Sequence, residues 1–220
     1  MFSTACPTAF LFDLDGTLLD SSNLIAETAN LVRRNWGFLP LSASELFSYI
    51  GLPAHALFQG LGLPDTVLRN MVKEFRQNFQ NANPSETKIY PGAIDFIVKA
   101  KRLGFKIATA TTRPTEMAQF QLGGLNIANY FDLIQGTDDF LPKPSPDVIL
   151  KVRDSLGISN IFMFGDRVED MQAAKAAEVI GIGIAQSSHG QTDLILSGAH
   201  EVYQNFAELP EPENLVTKYS

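Results

Sequence analysis

Short apolar runs alternate along this chain with longer stretches in which apolar residues recur every three or four positions. Residues 8–12 (TAFLF) form a run too brief for a helix and read as a strand buried on both faces. Residues 106–111 (KIATAT), 131–136 (FDLIQG), 160–165 (NIFMFG) and 179–184 (VIGIGI) read the same way. Helical patterns separate most of them. Residues 90–104 carry Pro91 early, Ile94, Ile97 and Val98 on one face, and Gly104 at the end. Residues 145–157 place Ser145 as N-cap, Pro146 at the first helical position and Gly157 past the last turn. Strands alternating with helices predict an α/β fold: a doubly wound parallel sheet covered on both faces.

Residues 20–85 break that alternation. Leu24, Thr28, Leu31 and Asn35 have helical spacing, with Ile25, Val32 and Trp36 alongside. Ser42 and Glu45 form a capping-box pattern ahead of Leu46, Phe47 and Ile50. Leu68, Met71, Val72, Phe75 and Phe79 make one more stripe. The pattern predicts a small helical cap over 20–85, inserted into an α/β core of 1–19 and 86–220.

Composition narrows the function. Of 220 residues, 45% are hydrophobic and 19% charged, ordinary for a globular chain with one large core and a smaller unit. A net charge of −7 with no long basic run argues against nucleic acid or an anionic membrane as the main partner. Cys6 is the only cysteine, so no intrachain disulfide forms, which suits a reducing cytoplasm. The first residues lack a basic region ahead of their apolar run, and no signal peptide or membrane span is expected. The tail, residues 209–220, reads as a surface end.

Candidate chemistry collects at strand ends, where open parallel sheets bind ligands. The first strand runs into Asp13 and Asp15, followed by Gly16 and Thr17. Thr111, Thr112 and Arg113 follow the second, and Asp166 and Asp170 follow the run 160–165. Lys143 lies in the loop LPKPSPD before a helix. Carboxylates crowded at one point repel one another and resist burial. A hard divalent cation with oxygen ligands offsets this, and Mg²⁺ fits best. A hydroxyl and a lysine opposite it make a receptor for a phosphoryl group. Arg167 and Glu169 read as surface residues, and His55, His189 and His200 have no spacing that suggests a metal site.

This constellation resembles the haloacid dehalogenase-like (HAD) hydrolase superfamily, within it the phosphoglycolate phosphatase-like branch with a helical cap. Four motifs carry the resemblance in order: DLDGTLLDS, Thr111 after its strand, Lys143 in KPSPD, and GDRVEDMQAAKAA. It implies Asp13 as nucleophile, forming an aspartyl-phosphate, and Asp15 as the proton carrier. It implies Mg²⁺ on Asp13, on the backbone carbonyl of Asp15 and on Asp166, with Asp170 just outside. Thr111, the Thr112 backbone and Lys143 would hold the phosphate, and Gly16 would make the tight turn. The implied activity is Mg²⁺-dependent hydrolysis of a small phosphorylated metabolite by a cytoplasmic monomer or homodimer. A β-phosphoglucomutase-like phosphotransferase uses the same aspartates and stays open as the alternative. A receiver-like phospho-acceptor module fits less well, because it lacks the inserted cap. Thr112 and Arg113 stand where the branch often has asparagine and lysine. Glu178 stands where glycine commonly ends the last motif's helix; a left-handed conformation there costs on the order of 1 kcal/mol.

Overall fold

The computed structural model describes residues 7–187 and 189–219; Cys6 lies outside them. Five parallel strands make the central sheet: β1 (Thr8–Phe12), β4 (Lys106–Thr109), β5 (Asn160–Gly165), β6 (Ile180–Ile184) and β7 (Glu201–Tyr203), in the order β4-β1-β5-β6-β7. Side chains alternate across it with period two. Phe10, Phe12, Phe162 and Phe164 point to one face, under α5 (Ala93–Arg102), α6 (Thr115–Gly124) and α10 (Pro212–Thr217). Phe12 and Phe164 stack with centroids 4.7 Å apart. Ala9, Leu11, Ile161 and Met163 point to the other face, under α7 (Asp147–Leu156) and α8 (Val168–Ala176), with α9 (Gln191–Leu196) beside α8 and β7. The sheet is therefore doubly wound, and every strand's carboxyl end opens on the same edge.

The chain leaves this layer through β2 (Leu19–Asp20) and returns through β3 (Lys88–Ile89), two short strands paired antiparallel. Between them lie α1 (Ser22–Asn35), α2 (Ala43–Tyr49), α3 (Ala56–Gln59) and α4 (Asp65–Asn81). They share a core of Leu24, Val32, Leu46, Phe58, Met71, Phe75 and Phe79, joined by Met117 of α6. The Ser42–Glu45 capping box forms as expected at α2, a cap of about 1 kcal/mol. No helix among the described residues is long and apolar enough to cross a membrane.

Several sequence expectations fail for local reasons. Residues 131–136 are not a strand. They meet β4 at one bridge, Ala108–Leu133; beyond it the Thr109 hydroxyl donates to the Gln135 carbonyl at 2.9 Å and accepts its N–H at 2.8 Å, beside one long backbone bond from the Thr111 N–H to that carbonyl at 3.4 Å. Within the run 106–111 the strand ends at Thr109, although the Ala110 N–H still donates to the Phe12 carbonyl at 2.8 Å. Ser145 is not the cap of α7: its N–H closes a turn on the Pro142 carbonyl, and Pro146 takes the N-cap. The stripe of α1 is rotated, so Ala29 is buried while Leu31 is 41% exposed. The tail is anchored, since α10 docks beside α5 and buries Leu215. Glu178 does adopt the left-handed conformation, at φ 57°.

Candidate active site

Asp13 continues β1 past its end, donating its N–H to the Phe164 carbonyl at 2.9 Å. The chain then folds tightly: the Leu14 carbonyl accepts the N–H groups of Thr17, Leu18 and Leu19. Gly16 sits at φ 91° in this turn. A β-carbon there would lie 2.4 Å from Asp166 Oδ2, so only glycine lets the turn approach that carboxylate. Asp166 follows β5 and is held from two sides, by the Thr17 hydroxyl at 2.7 Å and by the Ser187 hydroxyl.

Asp13, Asp166 and Asp170 are all buried, and one carboxylate oxygen from each lies within 4.8 Å of the others. Lys143 is the cation among them. Its Nζ lies 2.9 Å from Asp13 Oδ1, donates to the Ala110 carbonyl at 2.9 Å and donates to Asp170. Asp170 also accepts the Arg167 N–H at 3.0 Å. Burial pushes the Asp13 carboxyl up to about 6; Lys143 opposes this while Asp170 and Asp15 add to it. Asp170 is likewise raised by burial against Lys143. For Lys143 burial works against the charge, but Asp13 and Asp170 outweigh it and hold the ammonium above the ordinary lysine range.

Three carboxylates thus face one ammonium. Asp13 Oδ2 is buried without a hydrogen-bond partner among the described residues. An unsatisfied carboxylate oxygen beside two more carboxylates fits an oxygen-coordinated divalent cation. The Asp15 carboxylate is not in this cluster. Arg113 grips it side-on, Nε to Oδ2 at 3.2 Å and Nη2 to Oδ1, and the Ser21 hydroxyl donates to Oδ1.

Thr111 is fully buried two residues beyond β4, where its Oγ1 accepts the Arg113 N–H at 3.3 Å. Thr112 reaches the helical insertion, its hydroxyl donating to the Gly51 carbonyl at 2.7 Å. Arg167 is not a surface residue. It is buried, and its Nη1 donates to the Ile50 carbonyl at 2.6 Å. A cavity of about 100 Å³ lies where core and insertion meet, lined by Asp15, Thr112 and Arg113 below and by Tyr49, His55 and Phe79 above. From the sequence Arg167 reads as a surface residue, Ser21 and Ser187 receive no role, and Arg113 is gathered at the strand end without one. Arg113 alone left a signal, as a departure next to Thr111.

The sequence model of the haloacid dehalogenase-like hydrolases matches residues 10–184. A phosphoglycolate phosphatase of Aquifex aeolicus (strain VF5) is 34% identical over 170 residues, covering 76% of this chain and 79% of its own. One from Neisseria meningitidis serogroup A is 31% identical over 225 residues, covering 90% and 92%. The crystal structure of "a predicted phosphatase" from Clostridium acetobutylicum superposes with a TM-score of 0.84 at 26% identity, covering 98% of this chain and 99% of its own. The chain belongs to the haloacid dehalogenase-like hydrolase family. Its named relatives put it among that family's phosphatases, in the phosphoglycolate phosphatase-like branch.

Proposed function

We propose that this chain hydrolyses a small phosphomonoester through an aspartyl-phosphate on Asp13, with Mg²⁺ held by Asp13, the Asp15 backbone carbonyl and Asp166. The observation that carries the reading is Asp13 itself: a buried strand-end carboxylate, one oxygen 2.9 Å from Lys143 and the other without a hydrogen bond among the described residues. Mg²⁺ supplies neutralisation of the carboxylates and of the phosphate dianion, so that the two anions can meet.

The chain's own residues do the rest. A carboxylate oxygen of Asp13 forms a bond to phosphorus as the ester P–O bond breaks, and the departing oxygen takes a proton from Asp15. Asp15 then removes a proton from a water that attacks the aspartyl-phosphate. The bond between the Asp13 oxygen and phosphorus breaks, inorganic phosphate leaves, Asp13 is restored as the carboxylate and Asp15 as the protonated acid. Thr111, the Thr112 N–H and Lys143 hold the phosphate oxygens, and the Gly16 turn brings them within reach. Asp170 keeps Lys143 aimed, since it shares that ammonium with Asp13. The insertion over residues 20–85 acts as the cap that closes on the leaving group and excludes water. The small cavity beside Asp15 suits a leaving group of a few heavy atoms. Phosphoglycolate, which gives several relatives their name, is the first cytoplasmic metabolite to try.

Acetyl phosphate separates the two aspartates. Its leaving group needs little protonation, so Asp15→Ala should react and then stall, lacking the base that contributes about 10²–10⁴-fold. Acid quench should trap one added phosphoryl group on Asp13, labile to hydroxylamine. Asp13→Asn should trap none. An adduct on Asp13→Asn and none on Asp15→Ala would reverse the two assignments.

A further inference from the structure

We infer that Arg113 is the positioning residue for the proton carrier: it sets the plane and direction of the Asp15 carboxylate toward the leaving oxygen. The inference rests on the proposed role of Asp15.

The contact is two-pronged. Nε and Nη2 span both oxygens of Asp15, and a planar fork on a carboxylate fixes its rotation as a point charge does not. Ser21 adds a third donor, to Oδ1. Arg113 is itself anchored at the base. Its N–H donates to Thr111 Oγ1, its carbonyl accepts the Thr137 N–H at 3.1 Å, and Gly136 packs so closely that a β-carbon there would lie 2.1 Å from that carbonyl oxygen. The far end is held too, by the Phe79 ring of α4, 4.5 Å from the guanidinium carbon.

A merely structural ion pair explains this less well. Burying a guanidinium is costly unless its donors are satisfied, yet Nη1 is buried without a hydrogen-bond partner among the described residues while the side chain lines the cavity beside Asp15. The guanidinium is arranged around Asp15 and the cavity, at the expense of its own hydrogen bonding. Orientation matters chemically because proton transfer in the transition state needs the carrier within hydrogen-bond reach of the departing oxygen. A displacement of about 1 Å in such a site is worth roughly 10²-fold in rate.

The test compares two substrates by kcat/KM, which reports steps up to release of the alcohol. One is the alkyl monoester that the wild type turns over best from a panel. The other is p-nitrophenyl phosphate, whose leaving group departs with little protonation. Arg113→Ala should lower kcat/KM about 10²-fold on the alkyl ester and less than about 10-fold on the aryl ester. Arg113→Lys keeps a positive charge near the Phe79 ring but loses the fork. It should show the same pattern in smaller size, and it carries the test if the alanine variant does not fold. Combined with Asp15→Asn, neither Arg113 variant should lower the alkyl rate by more than about twofold further, as expected when one residue acts through the other. Equal losses on both esters, or losses that multiply with Asp15→Asn, would overturn the inference while leaving Asp15 in its role. If Asp15→Asn itself ignores the leaving group, or the wild type cleaves no monoester, the reading of Asp15 fails and the inference falls with it.

Discussion

Gly165→Ala is a one-carbon probe of how tightly the acidic cluster is packed. Gly165 ends β5, is buried, and has no positive φ, so the effect of a β-carbon there is steric. That carbon would lie 2.4 Å from Cβ, Cγ and Oδ2 of Asp170. The distance is about 1 Å short of ordinary contact. Asp170 is 1% exposed and held by Lys143 and by the Arg167 N–H, so it has no free direction to retreat. Overpacking costs about 1–3 kcal/mol. Pushing Asp170 off Lys143 adds part of the roughly 3–5 kcal/mol lost when a buried ion pair is broken. A loss of about 2–5 kcal/mol should appear in urea unfolding as a lower midpoint with unchanged slope. Activity should fall as well, because Lys143 loses its second carboxylate. In an Asp170→Gly background all three clashing atoms are gone, and Gly165→Ala should cost less than about 0.5 kcal/mol more. An equal cost in both backgrounds, or none in the wild type, would refute the packing argument.

Two further outcomes follow from the charges. Mg²⁺ should raise the melting temperature of the wild type, and Asp166→Asn should need more Mg²⁺ for the same shift; indifference of both proteins in a thermal-shift titration would remove the metal site. At the far end of the sheet, Glu201 accepts the hydroxyls of Tyr203 and Tyr219 and pairs with Lys218 at 2.9 Å. Burial works against the Glu201 carboxylate, but these partners outweigh it and hold it below the usual range. A carboxyl depressed in the folded state gives stability above the unfolded value of about 4.3 and loses it as pH falls through the folded one. Tyr219→Phe should therefore shrink the loss of stability between about pH 4.5 and 3, read by urea unfolding at each pH.

The acidic positions were legible because strand ends are legible. An apolar run that stops at a carboxylate marks both a strand and the edge where ligands bind, so Asp13, Asp166 and Lys143 could be gathered before any coordinates. The grouping of Asp170 with Asp13 and Asp166 was less visible, since an acidic residue in a first helical turn is favourable by itself. The burial of Arg113 and Arg167 was out of reach for a different reason. Neither sits on a periodic face, and a charged residue reads as exposed unless something covers it. What covers them is the helical insertion, nonlocal in sequence. Likewise 131–136 has a strand's composition, but Thr109 bonds it through a side chain, which no periodicity reports.

That covering shows why the insertion and the chemistry belong together. Two loops at the sheet's carboxyl edge send three side chains upward. Thr112 donates to the Gly51 carbonyl, Arg167 donates to the Ile50 carbonyl, and Arg113 packs under Phe79. Two of these target adjacent carbonyls after α2, where Gly51 takes φ 80° and a β-carbon would meet the Arg167 stem at 2.6 Å. Arg113 and Arg167 are thereby shielded by the same segment that walls the cavity beside Asp15. Lifting the insertion would break both carbonyl contacts, uncover Arg167 and Arg113, and let water reach Asp15. Electrostatic attraction weakens steeply once water enters, so a closed insertion strengthens the grip on Asp15 and an open one loosens it. On the proposed mechanism, one movement of the insertion would govern both occupancy of the cavity and orientation of Asp15.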